Sequence, residues 1–144
     1  MNAEPVTTRT SPRLIIADDS AEMRWLVRSA LEHQFPDIVE AGDGRQLMSL
    51  LLRSLFGAER ADFVLIVDVK MPVYSGLEVL AAWHSEDYRI PVVVITSFPD
   101  DLVHREVERL GAALLPKPFS RATLRGVVSD AAQHTPQRPR SKTA

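Results

Sequence analysis

The chain has 144 residues and a formal charge of −2, enough for one domain with a proper core and no electrostatic pull toward nucleic acid or a membrane surface. It contains no cysteine, which excludes disulfides, thiolate catalysis and cysteine metal sites and suits a reducing cytosol. The opening Met-Asn-Ala-Glu-Pro is no secretory signal, and no apolar run approaches the roughly 18 residues that span a bilayer, so a cytoplasmic protein is expected.

Residues 1–12, with Pro5 and Pro12, read as a flexible arm. Leu14 to Ala17 is a first strand, ended by Asp18-Asp19-Ser20. Ser20 caps a helix whose apolar face is Met23, Leu26, Val27, Ala30 and Leu31, with Trp25 expected half-buried at its side. Pro36 stops that helix, Ile38 to Ala41 is a second strand, and Gly42-Asp43-Gly44 is a turn. Gln46 to Phe56 reads as a second helix ended by Gly57. Phe63 to Val67 is a continuous apolar run, which reads as a strand buried on both faces, and Asp68 follows at once. A carboxylate there is costly unless charge meets it.

After Pro72 and Gly76, Leu77 to His84 is a third helix, and Pro91 to Thr96 a fourth strand. Asp100 and Asp101 open a fourth helix, complementing its dipole, and Gly111 closes it. Ala112 to Leu115 is a short fifth strand running into Pro116-Lys117-Pro118-Phe119, and Ser120 caps a last helix through Ala132. Residues 134–144 form a flexible basic tail, whose Arg138, Arg140 and Lys142 supply too little phosphate affinity to suggest a nucleic-acid partner. His33, His84, His104 and His134 lack metal-ligand spacing.

Five strand–helix units in alternation predict, for residues 13–133, an α/β domain: a doubly wound parallel sheet of order 2-1-3-4-5 flanked by five helices. Ligands bind such sheets outside the carboxyl ends of the strands, here at the crevice between strands one and three. That order brings Asp18, Asp19 and Asp68 together and sets Thr96 and Lys117 on the same rim. Three adjacent carboxylates repel unless a cation sits among them, and oxygen-only ligands favour a hard ion, Mg²⁺ or Mn²⁺. An aspartate beside such an ion can attack phosphorus, with the ammonium of Lys117 and the hydroxyl of Thr96 stabilising the phosphoryl oxygens.

Asp18-Asp19, Asp68 in Asp-Val-Lys-Met-Pro, Gly76, Thr96 and Lys117 in Lys-Pro-Phe together resemble the flavodoxin-like receiver domain of two-component response regulators, the CheY-like family, over about residues 13–132. The resemblance implies that Asp68 accepts a phosphoryl group from the phosphohistidine of a sensor histidine kinase or histidine phosphotransfer protein. It implies that Asp19, Asp68 and the carbonyl of Lys70 hold the metal directly, with Asp18 partly through water. Thr96 would swing toward the phosphoryl group, Lys117 would pair with it, and the Lys117–Pro118 peptide is expected to be cis.

Four features depart from the family pattern. Leu114 stands where a Tyr or Phe is usual, the side chain of Lys70 adds positive charge beside the site, and Phe98-Pro99 replaces small residues. The segment from Gly44 to Asp68 is also longer than usual. A phosphorylation-dependent protein-binding switch or phosphorelay shuttle is expected, stand-alone or as the receiver portion of a longer regulator, with a homodimer left open. It is not expected to be an enzyme beyond self-catalysed phosphoryl acceptance and loss. Two alternatives are a metal-dependent phosphatase or phosphotransferase using Asp68 as nucleophile, and a receiver-like scaffold independent of phosphorylation. Against the phosphatase, such enzymes typically carry a second aspartate where Lys70 stands.

Overall fold

A computed structural model describes residues 12–57, 61–84 and 90–134. The expected arm up to residue 11 and the tail beyond His134 lie outside the described residues. Strands β1 (Arg13–Ala17), β2 (Ile38–Ala41), β3 (Phe63–Asp68), β4 (Val92–Thr96) and β5 (Ala113–Pro116) form one parallel sheet in the expected order β2-β1-β3-β4-β5. Ala17 pairs with Ala41 and Val67, Asp68 with Ile95, and Thr96 with Pro116. The strand ends are therefore level, and the residues that follow them share one rim.

Helices α1 (Ala21–Leu31), α2 (Gly44–Phe56), α3 (Gly76–His84), α4 (Asp101–Arg109) and α5 (Arg121–His134) connect and follow the strands. The two-residue repeat of the strands divides their apolar residues between two cores. Ile15, Leu65 and Val94 pack with Leu47 and Leu51 of α2, Val79 of α3 and Val107 of α4. Leu14, Ile66 and Ile95 face the other way, toward Val27 and Leu31 of α1 and Leu124 of α5. Every residue of β3 is buried, which is why its sequence lacks polar alternation. Truncating a fully buried residue such as Leu65 to alanine would cost about 2–5 kcal/mol. No described helix is long and apolar enough to cross a membrane.

Three local expectations need correction. α2 starts at Gly44 rather than Gln46, because the Asp43 carboxylate accepts the Gln46 amide at 2.8 Å and caps the helix inside what reads as a turn. The Gly44 amide also donates to the Pro72 carbonyl at 3.0 Å, and a side chain at Gly44 would collide with the backbone of Tyr74. α5 continues past Ala132 to His134, one residue beyond the expected domain limit. Trp25, expected half-buried, is 63% exposed, with the Arg121 guanidinium 5.9 Å from its ring centroid.

Candidate functional site

Four strand ends supply the site. Asp18 follows β1 and is fully buried. Its Oδ1 accepts the Ser20 amide at 2.9 Å, closing an Asx turn, and its Oδ2 accepts Lys117 Nζ at 3.0 Å. Arg24 of α1 donates from Nη1 to the Asp18 carbonyl at 2.7 Å, fixing the turn from behind. Glu40 holds Arg24 in turn, and also Arg28, each at 2.8 Å. Burial pushes the Glu40 carboxyl up, but the two arginines together outweigh it and leave the group below the usual carboxylate range.

Asp68 ends β3 and is buried, with Oδ2 3.4 Å from Lys117 Nζ. Burial raises its carboxyl above the ordinary aspartate range, and the Asp18 charge adds to this. The Lys117 ammonium and the Lys70 backbone amide pull it back only in part. Carboxylate oxygens of Asp18, Asp19 and Asp68 lie within 4.8 Å of one another. Asp19 is exposed and opens onto a cavity of about 400 Å³ lined also by Val69, Lys70, Met71, Pro72 and Ser75.

Thr96, the last residue of β4, is buried, and its Oγ1 accepts the Phe98 amide at 3.0 Å. The Lys117 amide donates to the Thr96 carbonyl at 2.8 Å, tying the two rim residues together, and the Lys117–Pro118 peptide is cis as expected. Beneath Asp68 the first turn of α3 packs directly on β3. A Cβ at Gly76 would collide with the Asp68 carbonyl and sit 2.8 Å from Val67 Cγ2, so only glycine lets that helix start there. The intervening loop carries Val73 at φ +75°, a conformation branched side chains rarely adopt.

The expected site residues thus converge. Lys70 lines the cavity onto which Asp19 opens, and its Nζ lies 4.6 Å from the centroid of the Phe98 ring, where a cation and an aromatic face attract. Leu114 lies opposite Val94 in the sheet and packs, half-buried, against the core beneath α2, α3 and α4. Two contributors are absent from the sequence reading, the Ser20 amide and Arg24, and Phe98 is singled out there as a departure from the family pattern but not as a partner of Lys70. A basic residue one turn into the helix after an acidic pair was the available signal for Arg24. Nothing in the sequence signalled the pairing of Lys70 with Phe98.

An all-oxygen donor set of three carboxylates, countered within it by one ammonium, fits a hard divalent cation such as Mg²⁺. A buried carboxylate beside that set, with an ammonium and a hydroxyl on the adjoining strands, can take and stabilise a phosphoryl group.

Residues 14–129 match the family model described as the response regulator receiver domain. Among curated proteins, the chain is 39% identical over 111 residues to the transcriptional regulatory protein PdtaR of Mycobacterium tuberculosis, covering 75% of this chain and 50% of that protein. It is 30% identical over 109 residues to the transcriptional regulatory protein CpxR of Escherichia coli, covering 75% and 44%. The chain therefore spans about half the length of the curated relatives it matches. Among solved structures, chemotaxis response regulator CheY4 of Vibrio cholerae superposes with a TM-score of 0.69 at 28% identity, over 85% of this chain and 99% of that one. The signal receiver domain of the response regulator NarL from Mycobacterium tuberculosis superposes with a TM-score of 0.71 at 26% identity, over 88% and 99%.

Proposed function

This chain belongs to the response regulator receiver family, and from that premise we propose that Asp68 is its phosphoryl acceptor, with Asp18, Asp19, Thr96 and Lys117 as its machinery. The observation that carries the assignment is the Lys117 ammonium, which spans the two buried carboxylates at 3.0 and 3.4 Å. Asp68 Oδ attacks the phosphorus of a phosphohistidine. The P–O bond forms as the P–N bond breaks, and the imidazole leaves with that electron pair. Lys117 follows the new charge onto a phosphoryl oxygen, and the Thr96 hydroxyl leaves the Phe98 amide to donate to another. Attack by water on phosphorus later returns the Asp68 carboxylate and inorganic phosphate.

Asp19, Asp68 and the backbone carbonyl of Lys70 would hold Mg²⁺ or Mn²⁺, with Asp18 contributing partly through water. When bound, the ion neutralises charge that develops on the phosphoryl oxygens. Receiver domains work with histidine kinases or phosphotransfer proteins. For this chain the donor is a sensor histidine kinase or a histidine phosphotransfer protein, the output a phosphorylation-dependent contact with a further protein or a second copy, and the compartment the cytoplasm. Neither nucleic acid nor membrane is a direct partner, and catalysis is confined to self-phosphorylation and self-dephosphorylation. Turnover of small phosphate esters is not favoured, because the residue two past Asp68 is a lysine directed at Phe98 rather than a second acid.

The test is intact mass after incubation with acetyl phosphate or a phosphohistidine donor, with Mg²⁺ or with EDTA, for the wild type and Asp68→Asn. One added phosphoryl group, dependent on the ion and absent from the variant, is expected. Equal labelling of the variant would overturn the assignment, and silence with both donors would favour a phosphorylation-independent scaffold.

A further inference from the structure

Phe98 is 61% exposed, yet it is held from two sides by residues of the acceptor site. Lys70, two positions after Asp68, places its ammonium over the ring, and Thr96 Oγ1 accepts the Phe98 amide. On its other side Phe98 is joined to α4, because its carbonyl accepts the Asp100 amide at 2.9 Å and the Asp100 carboxylate caps that helix through the Val103 amide at 2.9 Å. A short chain of contacts thus runs from Asp68 to the start of α4 through one aromatic residue. The aromatic side chain sits in the loop, whereas β5 carries half-buried Ala113 and Leu114.

Both tethers are ones that a phosphoryl group competes for. The three carboxylates and Lys117 leave two negative charges uncompensated. A divalent cation cancels them, and conversion of the Asp68 carboxylate to an acyl phosphate dianion then restores one. Lys70 carries an ammonium two residues from that new charge. An exposed cation–π contact is weak enough to be exchanged for a charge-assisted bond to phosphate oxygen. The Thr96 hydroxyl likewise trades a neutral amide for a charged oxygen, which is the stronger partner.

We propose that Phe98 carries the phosphoryl state of Asp68 to α4, its ring released by Lys70 and its amide by Thr96 when both turn to the phosphoryl group. The inference rests on Asp68 being the acceptor. In the unmodified protein the Phe98 ring shields the ε-methylene protons of Lys70. In the phosphorylated protein that shielding is lost, and the amides of Asp100 and Val103 shift with it.

The experiment is NMR of the whole chain with Mg²⁺, before and after phosphorylation from a phosphohistidine donor, with occupancy read by intact mass on the same sample. Phe98→Leu serves as the comparison; its exposed position leaves the fold intact, which the remaining amide spectrum checks. The expected result is an upfield Lys70 ε-methylene resonance that moves to the Phe98→Leu position on phosphorylation, with the Asp100 and Val103 shifts at least halved in the variant. A phosphorylated sample whose Lys70 resonance stays shielded would overturn the inference, as would wild-type Asp100 and Val103 shifts in Phe98→Leu. An unmodified mass would overturn the acceptor reading itself and this inference with it.

Discussion

Replacing Lys117 by methionine keeps the aliphatic stem and removes the ammonium from between Asp18 and Asp68. At 3.0 and 3.4 Å, an effective dielectric of about 20 gives roughly 5 kcal/mol of attraction for each contact. Relief from desolvating the ammonium returns several kcal/mol of that, and removing one partner of a buried ion pair costs about 3–5 kcal/mol in general. Because Lys117 retains some exposure and Asp18 keeps its bond from the Ser20 amide, the lower end applies, about 3 kcal/mol in EDTA. With a urea dependence near 2 kcal/mol/M, the unfolding midpoint should drop by about 1.5 M. Saturating Mg²⁺ supplies the missing positive charge, so the deficit should shrink to roughly 1 kcal/mol, and the variant should gain more from the ion than the wild type does. Equal losses with and without Mg²⁺, or a loss in EDTA below about 0.5 kcal/mol, would refute the view that Lys117 is the charge holding these carboxylates together.

Asp68→Asn should stabilise the metal-free protein at neutral pH. The carboxyl is raised in the fold, so ionisation is disfavoured there relative to the unfolded chain, and the penalty appears as pH rises through the folded value. Urea melts in EDTA should show the gain at pH 7 and its disappearance once Asp68 is protonated at acid pH; a variant no more stable at pH 7 contradicts this. Val73→Gly should raise stability by about 1 kcal/mol, since relief of the positive φ exceeds the entropy cost of glycine and the exposed side chain loses little packing; a lower melting temperature would refute it. Gly76→Ala should cost about 1–3 kcal/mol and slow phosphoryl uptake, because the added methyl must push the Asp68 carbonyl aside. Uptake at the wild-type rate, followed by intact mass, would show that Asp68 tolerates the shift.

The sheet is legible because its central strands β3 and β4 are buried on both faces, so their apolar runs are unbroken and end abruptly in polar residues. Once the strand order follows from alternation, the convergence of Asp18, Asp68, Thr96 and Lys117 is a matter of which residue ends which strand. Side-chain partners across loops were another matter. The position of Trp25 on the helix says nothing about whether α5 covers it; the ring stays 63% exposed, with the Arg121 guanidinium of α5 beside it. The two-residue spacing from Asp68 sets the charge of Lys70 beside the site but says nothing of what its ammonium meets. Its actual partner belongs to the β4–α4 loop, and only the fold brings that loop within reach. α2 starts two residues before the expected Gln46 because Asp43 between glycines suits a turn as well as a cap.

The bridge from Lys117 to Asp18 joins residues 99 positions apart. During synthesis, β1 and β3 emerge long before β5, so the carboxylates can meet while their counter-ion is still unmade. Closing so long a segment is entropically slow, and it comes last. Until then the three carboxylates carry one more uncompensated negative charge than they do once Lys117 is in place. A chain interrupted before Ala113 would retain every acidic residue of the site but lack the ammonium that lets them share it.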